Sequence, residues 1–231
     1  KNITNIKDQI KKISITESRV FINGPSGSGK ELIARKIHKN SKRVKNPFVI
    51  LNGALLDSSK YELELFGEEK ENGSISYGAL EKANGGTLLI DQVSEIPLDI
   101  QSKILRVLTD QKFKRVNGSN DLSVDVRLIC SSSKDLKKEI EIGNFREDLF
   151  HRINVFEINI EPLNQRISDI PLLINYFSKN ISDNYNIKEL NIDENNSYIL
   201  NHNWQGNVRE LRNLIERIAI LQPDTNDKIS N

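Results

Sequence analysis

Apolar residues in this chain fall into two kinds of run, and together they predict buried strands alternating with amphipathic helices. Ile3, Ile6, Ile10 and Ile13 recur at helical spacing and predict an N-terminal amphipathic helix. Val20-Phe21-Ile22 is a short unbroken run, followed by a glycine-rich segment and then by a helical pattern through Leu32, Ile33 and Ile37. Phe48 to Leu51, after the turn at Asn46-Pro47, and Thr87 to Ile90, after Gly85-Gly86, read as buried strands. Ser59 is placed to cap a helix carrying Leu63, Leu65 and Phe66. Gly67 to Tyr77 is polar and charged and predicts a loop, while Ile100, Ile104, Leu105 and Leu108 mark a helix face. Val124 to Cys130 and Val155 to Ile160 supply two further strands, separated by a helical region containing Leu136, Ile140, Phe145 and Leu149.

Strands that are apolar throughout and alternate with helices indicate an α/β fold, a parallel sheet covered by helices on both faces. Beyond Glu161-Pro162 the pattern turns purely helical, through Ile170, Leu173, Ile174 and Phe177 and again through Val208, Leu211, Leu214, Ile215 and Ile218. The expected division is an α/β nucleotide-binding subdomain over residues 1–161 and a small all-helical subdomain over residues 162–231.

Gly24-Pro25-Ser26-Gly27-Ser28-Gly29-Lys30 stands between a predicted strand and a predicted helix, the context of a phosphate-binding P-loop. The glycines let backbone N–H groups curl around an anion, the helix N-terminus adds partial positive charge, and the lysine reaches the outer phosphates. An ordinary glycine turn is the alternative. Glu31 occupies the position where Ser or Thr usually offers a hydroxyl to Mg²⁺, so the metal leans on other groups and water. The candidate cofactor segment runs from Gly24 through Glu31 and Leu32. Asp91, at the carboxyl end of a buried strand, is the candidate Mg²⁺ ligand; its alternative is a strand-end cap. Gln92 follows it, and an amide cannot take a proton, so general-base help worth ~10²–10⁴-fold is absent.

Charge adds little: the 231 residues carry a formal net charge of +1, so no global field draws nucleic acid or a membrane. No apolar run reaches the ~20 residues of a membrane span and no signal peptide opens the chain. The lone Cys130 sits among apolar neighbours, reads as a buried strand thiol, and suits a cytoplasmic protein. The absence of methionine points to a piece of a longer polypeptide. His38, His151 and His202 are too scattered for a metal site.

Four segments, in order, carry a resemblance. Tyr61 to Gly67, Gly85 to Asp91, Phe145 to Arg152 and Trp204 to Leu211 resemble the AAA+ central domain of bacterial enhancer-binding proteins, the sigma-54 activators of NtrC type. The likeness spans nearly the whole chain and is nearest to NtrX-like response regulators, because one family motif is missing. The loop sequence Gly-Ala-Phe-Thr-Gly-Ala, which contacts the sigma factor, is replaced here by Glu68 to Tyr77.

The resemblance implies an AAA+ P-loop core and a helical lid that bind ATP or ADP with Mg²⁺. It places Lys30 on the phosphates, Asp91 on the metal, and Ser133 (with Ser132) at the first sensor. Asn52 matches an asparagine that gates the catalytic glutamate, whose place Gln92 takes. Arg146 and Arg152 match arginine fingers, with solvated or Glu147/Asp148-paired arginines as the alternative, and Arg209 matches a second sensor on the lid. Gln205 stands where the family has proline, and Trp204 reads as core. The expected partners are further copies of the chain, from dimer to hexameric ring, with receiver and helix-turn-helix domains on either side. The expected function is nucleotide-controlled assembly and DNA-binding output without sigma-54 activation; an active sigma-54 activator ATPase is the alternative. A small-molecule P-loop kinase would fit Lys30 and Asp91 but leaves the arginine pair and lid motif unused.

Overall fold

The computed structural model describes residues 2–55, 58–185, 187, 190, 192–193 and 196–221, with backbone alone for residues 2–5, 55, 58 and 59. The Ile3 side chain, the Ser59 cap and the outer ends of both expected domain ranges therefore lie outside the described residues. The chain forms two compact units. One holds Lys1–Gly24 and Lys30–Ile160, the other Pro25–Gly29 and Glu161–Asn231.

The first unit begins with α1 (Asn2–Ser14), β1 (Val20–Asn23), α2 (Lys30–Lys39) and β2 (Phe48–Asn52). It continues through α3 (Ser58–Phe66), β3 (Gly67–Glu69), β4 (Ile75–Tyr77), α4 (Ala79–Lys82), β5 (Thr87–Asp91) and α5 (Leu98–Asp110). It ends with β6 (Lys112–Phe113), β7 (Leu122–Ser123), β8 (Arg127–Ser132), α6 (Leu136–Glu141), α7 (Glu147–Ile153) and β9 (Phe156–Asn159). Five strands pair in the order β2-β5-β8-β1-β9, all parallel.

The period of two explains why the central strands β1, β5 and β8 are largely apolar. Phe21, Leu88, Ile90, Leu128 and Cys130 enter one core, which also holds Leu65, Ile100, Ile104 and Leu149 from the helices. Their neighbours Val20, Ile22, Leu89, Ile129 and Ile158 enter the opposite core with Ile10, Ile13, Ala34 and Ile37. The central strands β1, β5 and β8 thus bury both faces, as a helix-covered parallel sheet requires, while the edge strand β9 leaves Glu157 and Asn159 exposed. Burial pushes the Cys130 thiol well above its usual range, so it is an inert core group.

Three local expectations are corrected. The stretch from Gly67 to Tyr77 is an antiparallel hairpin of β3 and β4, with Gly67 opposite Tyr77. Its support is distant in sequence: Val116 N donates to Gly67 O and Glu69 N to Val116 O. The expected strand from Val124 to Cys130 is displaced to Arg127–Ser132, and Leu122–Ser123 pairs separately with β6. Leu32, read with Ile33 and Ile37 as part of the apolar face of α2, is 72% exposed; Ile37 is buried as expected, and Ala34 takes the core position beside it.

The second unit contains α8 (Ile170–Tyr185), α9 (Ser197–Leu200) and α10 (Asn207–Leu221). Ile170, Ile174 and Ile181 of α8 meet Leu211, Ile215 and Ala219 of α10 around Leu163 and Trp204. Trp204 is buried and its indole N–H donates to Ile199 O at 3.0 Å, so it is core, as its sequence context suggested. Among the described residues no helix is long and apolar enough to cross a membrane.

Candidate functional site

In the first unit the candidate chemistry gathers at the carboxyl ends of the central strands. β1 ends at Asn23, and Gly24 N donates to Ser132 O at the end of β8. Lys30 opens α2, is almost fully buried, and donates from Nζ to Gly24 O at 2.7 Å. The half-buried Asp91 closes β5, paired in register with Asn52 of β2. The buried Ser131 hydroxyl donates to Asp91 Oδ1, which fixes the carboxylate.

Gln92 adopts a left-handed conformation (φ 58°). Its Oε1 accepts from Ser133 N at 3.1 Å and from Ser133 Oγ at 2.8 Å. Asn52 Oδ1 accepts instead from Ala54 N at 3.0 Å, closing a local turn. Asn52 and Gln92, expected to pair, share no hydrogen bond among the described residues: Asn52 closes its own turn and Gln92 joins Ser133. Gly53 lies so close that a Cβ there would meet Gln92 O at 2.6 Å.

Arg146 stands at the N-cap position of α7, and its side chain turns to a near neighbour, Asp148. Its guanidinium makes a two-pronged contact with Asp148, at 3.0 and 2.7 Å, which raises the arginine pKa and lowers that of the carboxyl. Arg152 is exposed near the end of the same helix and donates to Leu108 O at 3.2 Å. Within this chain the two arginines therefore take intramolecular partners. Glu31 likewise pairs with Arg35 at 2.8 Å, one turn along α2.

In the second unit the P-loop residues Pro25–Gly29 turn through positive φ at Gly27 (74°) and Gly29 (105°). A Cβ on Gly27 would strike Gly206 O at 2.2 Å, so glycine is required both by conformation and by close approach. Arg209 is exposed, its backbone N–H donates to Gly27 O at 3.3 Å, and it borders a cavity of about 540 Å³ with Ser26, His202 and Trp204. Ser28 Oγ is buried with no hydrogen-bond partner among the described residues.

Three polar residues were not singled out by sequence reasoning. Ser131 continues an apolar strand, so nothing in the pattern separates it from the core. Arg166 lies in a polar connection, and Asn207 stands inside a recognised motif but was given no role. Only their partners reveal them: Asp91 for Ser131, Ser28 O for Arg166 and Ser26 O for Asn207.

Comparison with known proteins follows the same outline. Residues 1–159 match the family described as the Sigma-54 interaction domain, and residues 164–230 match the AAA+ ATPase lid domain. The nitrogen assimilation regulatory protein NtrX of Azorhizobium caulinodans is 43% identical over 221 residues, covering 95% of this chain and 49% of that protein. The regulatory protein AtoC of Escherichia coli is 43% identical over 215 residues, covering 91% of this chain and 47% of that protein. The crystal structure of NtrX from Brucella abortus in complex with ADP superposes with a TM-score of 0.93 at 42% identity, over 98% of this chain and 51% of that one. The same protein in complex with ATP gives 0.90 at 43% identity, over 96% and 53%. The chain thus spans about half the length of the curated relatives it matches.

Proposed function

This chain belongs to the sigma-54 interaction domain family with an AAA+ lid, and we propose that it is the ATP- and ADP-binding regulatory module of an NtrX-like bacterial response regulator. Its nucleotide state sets self-association, between dimer and hexameric ring, and through it the output of flanking receiver and helix-turn-helix domains. The observation that carries the reading is the P-loop itself. Gly27 and Gly29 hold positive φ, Ser28 offers a buried hydroxyl with no hydrogen-bond partner among the described residues, and Lys30 opens the following helix. Those are the groups a polyphosphate satisfies. The NtrX structures with ADP and ATP support the same choice of ligand.

Mg²⁺ fits the donor chemistry. A hard cation of this kind is held by one or two carboxylates with phosphate and water, and Asp91 supplies a carboxylate at a strand end. Bound there, the ion would neutralise phosphate charge. Gln92, held by Ser133, can orient a water by hydrogen bonding but accepts no proton, so ATP persists longer than it is turned over. Arg146 and Arg152 serve a neighbouring subunit's site once Asp148 and Leu108 O release them. The proposed division of labour is residues 1–161 for nucleotide binding and residues 162–231 as lid.

Calorimetry of the full-length protein tests the reading. Wild type binds ADP and ATP, and Lys30→Ala removes binding, because the phosphates lose the P-loop's cation. Unchanged affinity in that variant rejects the nucleotide site. A second reading, an active sigma-54-dependent activator, draws on the family match over residues 1–159. Against it stands the short hairpin of Gly67–Tyr77, whose exposed residues are mainly charged, Ser and Gly, with Ile75 and Tyr77 as its only large apolar side chains.

A further inference from the structure

Three consecutive P-loop carbonyls are each taken by a donor from the helical part of the second unit. Ser26 O accepts from Asn207 Nδ2 at 3.0 Å, Gly27 O from Arg209 N at 3.3 Å, and Ser28 O from Arg166 Nη2 at 3.0 Å. No peptide bond among the described residues is cis. In a trans peptide the C=O of one residue and the N–H of the next point in opposite directions within one plane. Holding Ser26 O and Ser28 O therefore fixes the direction of the Gly27 and Gly29 N–H groups, and turns them away from the residues that hold the carbonyls.

Both side chains are built for this task. Asn207 is buried, and every polar valence it has toward the backbone is used: Oδ1 accepts from Leu163 N at 2.8 Å while Nδ2 reaches Ser26 O and Gln205 O. Its φ of 54° is a conformation that asparagine tolerates better than most residues. The Arg166 side chain is nearly enclosed, with the equally enclosed Asp169 at 3.6 Å. Burial lowers the pKa of the guanidinium and raises that of the carboxyl, so the pair is maintained at a cost that the Ser28 contact helps to justify.

We propose that Arg166 and Asn207 are positioning residues of the nucleotide site, holding the P-loop carbonyls so that the Gly27 and Gly29 N–H groups are pre-aimed at the phosphates. The proposal rests on the nucleotide-binding reading above. It makes P-loop geometry depend on the start of α10 and on the segment preceding α8.

The test is calorimetric binding of ADP and AMP to the full-length protein and to Asn207→Asp, Arg166→Met and Arg166→Lys. Asn207→Asp keeps the shape and the acceptor for Leu163 N but sets an oxygen against Ser26 O. Arg166→Lys retains a cation and a donor. The expected result is ADP weakened about tenfold or more in the first two variants, recovery of most of that loss in the lysine variant, and a reduced preference for ADP over AMP. The melting temperature of the nucleotide-free protein stays near wild type. Wild-type ADP affinity in both Asn207→Asp and Arg166→Met overturns the proposal. So does a loss that is equal in all three variants and matched by a fall in melting temperature, which marks a general packing defect. A wild-type protein that binds no ADP rejects instead the reading on which the proposal rests.

Discussion

Gln92 and His38 show how single side chains set chemistry and stability here. Gln92 holds its amide on Ser133 and presents no base, so Gln92→Glu is expected to raise steady-state phosphate release by an order of magnitude or more. A rate unchanged from wild type would place the limit in subunit assembly, where Arg146 and Arg152 are still bound within their own chain. His38 is buried, 2.9 Å from Thr87 Oγ1, and burial lowers its pKa below the usual 6.5, partly offset by a hydrogen bond with the Asn46 backbone and reinforced by the Arg127 charge. A depressed folded pKa gives stability that is present above the unfolded pKa and is lost as pH falls through the folded one. Thermal melts should therefore show wild type losing stability below about pH 6.5 more steeply than His38→Gln; parallel curves would contradict this. The sequence displayed Lys30, Asp91 and Gln92 because strand, loop and helix patterns bracket them. It did not display the Gln92–Ser133 contact, since the two residues lie on different strands' ends and meet only when β5 pairs with β8.

Among the elements, those legible in sequence are the ones whose apolar period is local. The central strands show as unbroken apolar runs because both of their faces are buried, and α5, α8 and α10 show as helical stripes. The β3–β4 hairpin lacks both signals. Its strands are mostly polar, and it is held by Arg115, 46 positions from Glu69 and 34 from Glu81, at 2.9 and 2.6 Å. Those contacts, with Glu81 foremost, raise the Arg115 pKa. Arg115→Met should free the hairpin without touching the nucleotide site: faster tryptic cleavage at Lys70, with ADP affinity within about twofold of wild type. Cleavage at the wild-type rate would show that the backbone bonds of Val116 suffice.

For the whole molecule, the two units differ in what they supply to the proposed function: a parallel sheet whose strand ends carry Asp91 and Gln92, and a helical unit that holds the P-loop carbonyls. Nucleotide acts as a regulator only by binding one assembly state better than another. Sedimentation of the full-length protein should accordingly show a mass change on adding ATP, reduced in Lys30→Ala; identical profiles with and without ATP would contradict control through assembly. The output of that assembly is the central claim, and in vitro transcription from a sigma-54 promoter, with full-length protein and ATP, tests it most directly. The account predicts no ATP-dependent transcript above the level of polymerase alone, on the proposed reading that the mostly polar Gly67–Tyr77 hairpin does not engage the sigma factor. An ATP-dependent transcript that Lys30→Ala abolishes would contradict it and establish the chain as an activator.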